Sequence, residues 1–125
     1  MPNKPDKIDE FVGETVIIKP NALLNRGRLF TTQTWTSEQK ITNALIGSPR
    51  QKEETPSGWI FYTHNKIAFV IGNGNHRAGI ACLRKETIPM KIVGIWEKGR
   101  EEIYGFNIIV RKIRNDLSNA EPALL

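Results

Sequence analysis

The residues best suited to chemistry lie in one short stretch, 72–77, which reads Gly72, Asn73, Gly74, Asn75, His76 and Arg77. Glycines two positions apart let the backbone turn sharply and let a ligand come close to the main chain. A guanidinium such as that of Arg77 matches phosphate oxygens in pairs. The imidazole of His76 can donate a hydrogen bond or, at its neutral nitrogen, act as a base. If a helix opens near His76, its first N–H groups point into the same space and favour an anion. Together these features describe a phosphate cradle. The stretch lacks the Lys and Ser/Thr of a P-loop and the third glycine of the dinucleotide fingerprint. The same residues also suit a tight turn whose His and Arg only cap and face solvent, and spacing alone leaves both readings open.

Other candidates carry plainer explanations. His64, twelve residues before His76, sits where a surface turn is expected. Two histidines without clustered thiols or carboxylates give no metal-site spacing, so no metal is expected. Trp35, Trp59 and Trp96 offer faces for stacking on bases, although three tryptophans in a chain of this length are more often core or rim residues. Arg111, Lys112 and Arg114 form the densest basic run, suited to nucleic-acid phosphates or to a solvated helix face. The single cysteine, Cys82, falls in a helical stretch and reads as a buried structural thiol. Arg84 and Lys85 fall in the last turn of that helix, where cations oppose the negative end of its dipole.

The elements that must position the 72–77 turn follow from the apolar pattern. Residues 66–72 hold Ile67, Ala68, Phe69, Val70 and Ile71 without alternation, the mark of a strand covered on both faces. Residues 59–63 read as its hairpin partner, with His64 and Asn65 at the turn. After the glycines, residues 78–85 read as a short helix, and 88–95 (IPMKIVGI) as another strand, with Pro89 near its start. Upstream, 14–19 (ETVIIK) predicts a strand stopped by Pro20, 21–29 is undetermined, and 31–36 suggests a short extended piece. A helix is expected over 37–46 with Ser37 as N-cap and Gly47 as its stop. Residues 47–58 contain no apolar residue besides two prolines and read as a solvated loop. Downstream, a helix is expected over 98–104. Ile109, Ile113 and Leu117 favour a helix over 107–117. The organisation is then a loose arm at 1–10, one domain at 11–117, and a loose tail at 118–125.

Composition bounds these readings. The chain has 125 residues, 39% of them hydrophobic, with 18 Lys plus Arg against 13 Asp plus Glu. That allows one modest domain with a core of its own and excludes a disulfide scaffold. The polar first ten residues predict no signal peptide, and no apolar run approaches the ~18 residues of a membrane span. The expectation is a soluble, cytoplasmic protein. The surplus charge of +5 is concentrated: residues 77–114 hold nine basic and four acidic side chains. A clustered basic excess suits an anionic partner, a nucleotide or DNA.

The 22 residues 73–94 (NGNHRAGIACLRKETIPMKIVG) resemble the signature of the ParB/sulfiredoxin superfamily. That signature is a Gly-x-His/Arg-Arg turn, an alanine-bearing helix and an Ile-Pro strand, matched here by Gly74, His76, Arg77, Ala81, Ile88 and Pro89. The likeness is greatest to the sulfiredoxin version, whose Gly-Cys-His-Arg turn corresponds to 74–77 and whose Glu-Thr-Ile-Pro stretch corresponds to 86–89. The resemblance implies a small α+β domain, a mixed sheet with flanking helices, that binds ATP or CTP with Mg2+. Gly72, Asn73, Gly74, Asn75, His76 and Arg77 would hold the phosphates, with His76 donating to them. It leaves open whether hydrolysis follows. Asn75 stands where sulfiredoxins carry the reactive cysteine, so their chemistry is not expected. Asn73 stands where many relatives carry Asp, which argues against the kinase and nuclease activities of other members. About 30 residues follow the Ile-Pro strand, enough for a stand-alone binding module rather than a full DNA clamp. A DNA-binding or regulatory module, using Arg111, Lys112 and Arg114, is the alternative.

Overall fold

In a computed structural model, which describes residues 8–46, 55–63, 66–97 and 99–124, the apolar run at 67–71 becomes the middle of a central strand. In chain order the strands are β1 (Thr15–Ile18), β2 (Leu29–Thr31), β3 (Ser57–Thr63), β4 (Lys66–Asn73), β5 (Ile88–Ile95) and β6 (Tyr104–Gly105). They form one mixed sheet in the order β1-β5-β3-β4-β2-β6. β3 pairs antiparallel with β4, while β2 with β4 and β3 with β5 are parallel. β1 and β6 close the edges antiparallel. The helices are a 3-10 turn (Ile8–Phe11), α1 (Pro20–Asn25), α2 (Glu38–Ile46), α3 (Asn75–Arg84) and α4 (Asn107–Leu124). The fold is α+β, a mixed sheet with flanking helices.

The helices gather on α3, against which α1, α2 and α4 all pack. Ile80, Ala81 and Cys82 of α3 meet Ile109 and Ile113 of α4 and the sheet residues Ile60, Ile71, Met90 and Ile92 in one buried core. Each fully buried isoleucine contributes ~1.5–3 kcal/mol. The apolar spacing of α4 is therefore enough to fix which face it turns inward. The approach of α3 to α4 is close. A Cβ at Gly79 would come within 2.3 Å of Ile113 Cδ1, so a larger side chain there must displace the Ile113 side chain.

The expectation that β4 is covered on both faces holds, by different means on each side. Ile71 joins the helical core, while Ala68 and Val70, also buried, lie outside it. In the antiparallel register they stand opposite Phe61 and Trp59, and directly opposed residues share a face. Trp59 meets Trp96 edge to face at 5.0 Å, and the Arg100 guanidinium lies 5.3 and 5.5 Å from the two rings. Aromatic side chains and one arginine thus supply the outer cover.

Several boundaries differ from the sequence reading. The arm expected at 1–10 ends earlier, because Ile8 is buried in the core and 8–11 form a 3-10 turn. Pro20 does more than stop β1: it occupies the first turn of α1, where its missing N–H costs nothing. The extended piece expected at 31–36 shifts to Leu29–Thr31, paired with β4. No helix forms at 99–104. Gly99 adopts φ +93°, and Arg100 is drawn to the tryptophan pair. The tail expected at 118–125 is helical to Leu124, since extending a formed helix needs only one further residue fixed per hydrogen bond. Gly47, His64, Asn65 and most of the expected 47–58 loop lie outside the described residues.

Candidate functional site

β4 runs out at Asn73 and the chain turns into α3 at Gly74, whose φ of +87° and ψ of 24° are left-handed. Glycine is required there twice over. The backbone conformation favours it, and a Cβ would lie 2.7 to 2.9 Å from three atoms of Pro56. Gly74 gives α3 no side-chain cap, and the first helical bond is Ala78 N–H to the Gly74 carbonyl, 2.9 Å. Helix geometry turns the N–H groups of the first turn outward, here towards a cleft of about 90 Å³. Asn73 to Arg77 form one wall, Gln33 and Lys40 the second, Thr55 and Pro56 the third. Lys40 and Arg77 supply positive charge, and among the described residues no carboxylate lines it. Its volume lies well below the ~300–1,000 Å³ of an ordinary small-molecule pocket and suits one phosphate-sized anion.

Two buried side chains anchor the turn. Asn75 is 1% exposed. Its Oδ1 accepts the Thr31 hydroxyl at 2.6 Å, its Nδ2 donates to Gln33 Oε1 at 3.4 Å, and Gln33 N–H donates back to Thr31 Oγ1 at 3.0 Å. This network fastens the end of β2 to the start of α3. Leaving one of its buried groups unpaired would cost ~1–3 kcal/mol.

His76 is 6% exposed, and its Nε2 accepts the backbone N–H of Ser37 at 2.9 Å. Ser37 in turn caps α2, its Oγ accepting the Lys40 N–H at 3.4 Å. A neutral imidazole that accepts at Nε2 carries its proton on Nδ1. Burial lowers the His76 pKa, the Lys40 ammonium lowers it further, and Asp116 partly offsets both, so the ring is neutral near pH 7. This narrows the sequence reading. The nitrogen that would act as base is occupied, and the ring can bring only its Nδ1–H to an anion.

The remaining expected residues divide. Asn73, Gly74, Asn75, His76 and half-buried Arg77 come together at the cleft. Gly72 does not line it. A Cβ there would meet the Trp59 ring at 2.5 Å, so this glycine makes room for the outer aromatic layer rather than for a ligand. The basic run on α4 is split as well. Arg111 and Arg114 are exposed and do not line the cleft, whereas Lys112 Nζ donates to the Thr34 carbonyl. Cys82 is buried, and burial raises its thiol pKa against the pull of Arg114.

Sequence reasoning missed Lys40, Gln33 and Pro56 at the cleft. One signal pointed to Lys40: a cation in the first turn of a helix opposes the dipole and so asks for another reason to be there. Beside this cleft lies a second, more open one of about 370 Å³, lined by Trp35, Thr36, Glu38, Lys112, Asn115 and Asp116. Among the described residues, no cluster of three or more His, Cys, Asp or Glu could hold a metal, and no helix is long and apolar enough to cross a membrane. Compared with protein-family models, curated proteins and solved structures, the chain matches none.

Proposed function

We propose that this protein binds the phosphates of a nucleotide at the first turn of α3, with Arg77 and Lys40 supplying the positive charge. One observation carries the reading: a ten-residue helix opens without a side-chain cap onto a cleft whose described lining holds two cations and no carboxylate. Backbone donors, helix dipole and cations there all favour an anion. The resemblance of residues 73–94 to the ParB/sulfiredoxin superfamily supports the same turn and suggests ATP or CTP as the ligand. With no carboxylate in the described lining, Mg2+ would be held through phosphate oxygens and water, its usual habit. With His76 Nε2 occupied, the described lining presents no general base, and the reading is binding rather than hydrolysis. Asn75, bonded to Thr31, offers no thiol for sulfiredoxin chemistry.

The test is calorimetric titration of ATP and CTP with Mg2+ against the wild type, Arg77→Ala and Lys40→Ala. Each substitution removes charge-assisted bonds worth ~1.5–3 kcal/mol, so affinity should fall by about tenfold or more with folding intact. Undiminished affinity in Arg77→Ala, or a wild type that binds neither nucleotide, would overturn the proposal.

A further inference from the structure

Trp35 stands between the two clefts. Lys40, which lines the anion cleft, holds its ammonium 4.9 Å from the indole centroid, and the His76 ring lies 5.7 Å away. The indole also lines the larger cleft, with Thr36, Glu38, Asn115 and Asp116 around it. It is 51% exposed, in a fold that buries Trp96 and packs Trp59 against it. An exposed indole beside a cationic cleft offers a flat apolar face to whatever is attached to the anion.

The two volumes differ as a two-part ligand requires. About 90 Å³ takes a charged head, while about 370 Å³ falls in the range that accommodates an organic body. The rim specifies that body further. Asp116 accepts the Thr36 hydroxyl through Oδ2 at 3.1 Å, with Oδ1 as its remaining acceptor. Glu38 adds a second carboxylate, and ionised carboxylates only accept. Lys112 gives one of its ammonium donors to the Thr34 carbonyl, and the Asn115 amide can both donate and accept. Two carboxylates against a single ammonium tilt the cleft towards a planar ring that donates.

We propose that the Trp35 cleft is the nucleobase subsite for the ligand whose phosphates enter the first cleft. The base stacks on Trp35, and an exocyclic amino group, as on adenine or cytosine, donates to Asp116 or Glu38. Uracil presents a carbonyl oxygen in the place of the cytosine amino group and is rejected. The inference rests on the phosphate reading above and adds the residues that choose the base.

Tripolyphosphate, ATP, CTP and UTP, each with Mg2+, are titrated against the wild type, Trp35→Ala, Trp35→Phe and Asp116→Asn/Glu38→Gln, with circular dichroism confirming that each variant folds. Stacking on an aromatic side chain supports a preference of about tenfold. The wild type should bind ATP or CTP about tenfold more tightly than tripolyphosphate or UTP. Trp35→Ala should bring ATP and CTP down to the tripolyphosphate level without changing tripolyphosphate itself. Trp35→Phe should keep most of the preference over tripolyphosphate, and the carboxylate variant should lose the discrimination against UTP. If tripolyphosphate binds as well as every nucleotide, the base subsite is wrong and the phosphate site stands. An equal loss of ATP and tripolyphosphate in Trp35→Ala would make Trp35 a support for Lys40 and likewise overturn the subsite. If the wild type binds none of the four, both readings fall.

Discussion

Two helix N-termini meet at the site and are finished in opposite ways. α2 is closed by its own serine. Ser37 Oγ accepts the Lys40 N–H, and the Ser37 backbone N–H is taken by His76. α3 begins on Gly74, which has no side chain to offer and whose neighbour Pro56 forbids one. A capping serine satisfies a helix end permanently, whereas a capping glycine leaves its donors to a visitor. The closed end also holds the open one, because the ring that takes the Ser37 N–H belongs to the first turn of α3. The open terminus is therefore placed by the capped one.

Substitutions at the two helix ends should differ widely in cost. Gly74→Ala forces a side chain into a left-handed position and against Pro56. It should cost ~1–3 kcal/mol of stability in urea unfolding and abolish nucleotide binding in titration. Retained affinity would show that the open terminus is not the binding element. Ser37→Ala removes the cap of α2 but keeps the backbone bond to His76. It should cost ~1 kcal/mol and leave phosphate affinity within about twofold, a change of ~0.4 kcal/mol. A large loss of affinity would mean the two ends are not separable.

The smallest effect is one of pH. The folded protein holds His76 below its ordinary pKa, so as pH falls through about 6.5 the unfolded chain takes up a proton first. The stability tied to the neutral ring is full above that value and is lost progressively as pH falls towards the lowered folded-state value. His76→Gln, whose amide oxygen reaches the Nε2 position and can still accept from Ser37, should lose less stability than the wild type between about pH 7.5 and about pH 5.5 in urea midpoints. Equal losses in the two proteins would release His76 from that role.

What could be read from the sequence followed the range of the interaction. The β4–Gly74–α3 unit was legible because its signals are local: an unbroken apolar run, glycines, then helix formers. α4 was legible from Ile109, Ile113 and Leu117, one face at helical spacing. α1, with six residues, is too short to show a period, and Pro20 reads as a stop as readily as a start. Ile8, Phe11 and Val12 share a helical spacing, yet only Ile8 is buried, so the pattern does not say which of them enters the core. The helix expected at 98–104 failed because Arg100 answers to a tryptophan pair whose other member, Trp59, is distant in sequence. The same holds for half of the site. Lys40, Gln33 and Trp35 reach the α3 turn only because β2 pairs in parallel with β4, and no local pattern announces that pairing.

That parallel pair also decides when a site exists at all. The bonds that assemble the cleft join Thr31 to Asn75 and Ser37 to His76, 44 and 39 residues apart. The β3–β4 hairpin can close locally, whereas these contacts require a long stretch of chain to be brought together first. A partly folded chain with only the hairpin and α3 formed has the glycine turn but neither Lys40 nor the Trp35 wall. An anion held by the complete cleft therefore recognises the native chain alone. Its whole binding free energy counts towards stability, about 2.7 kcal/mol at a ligand concentration of 100 Kd.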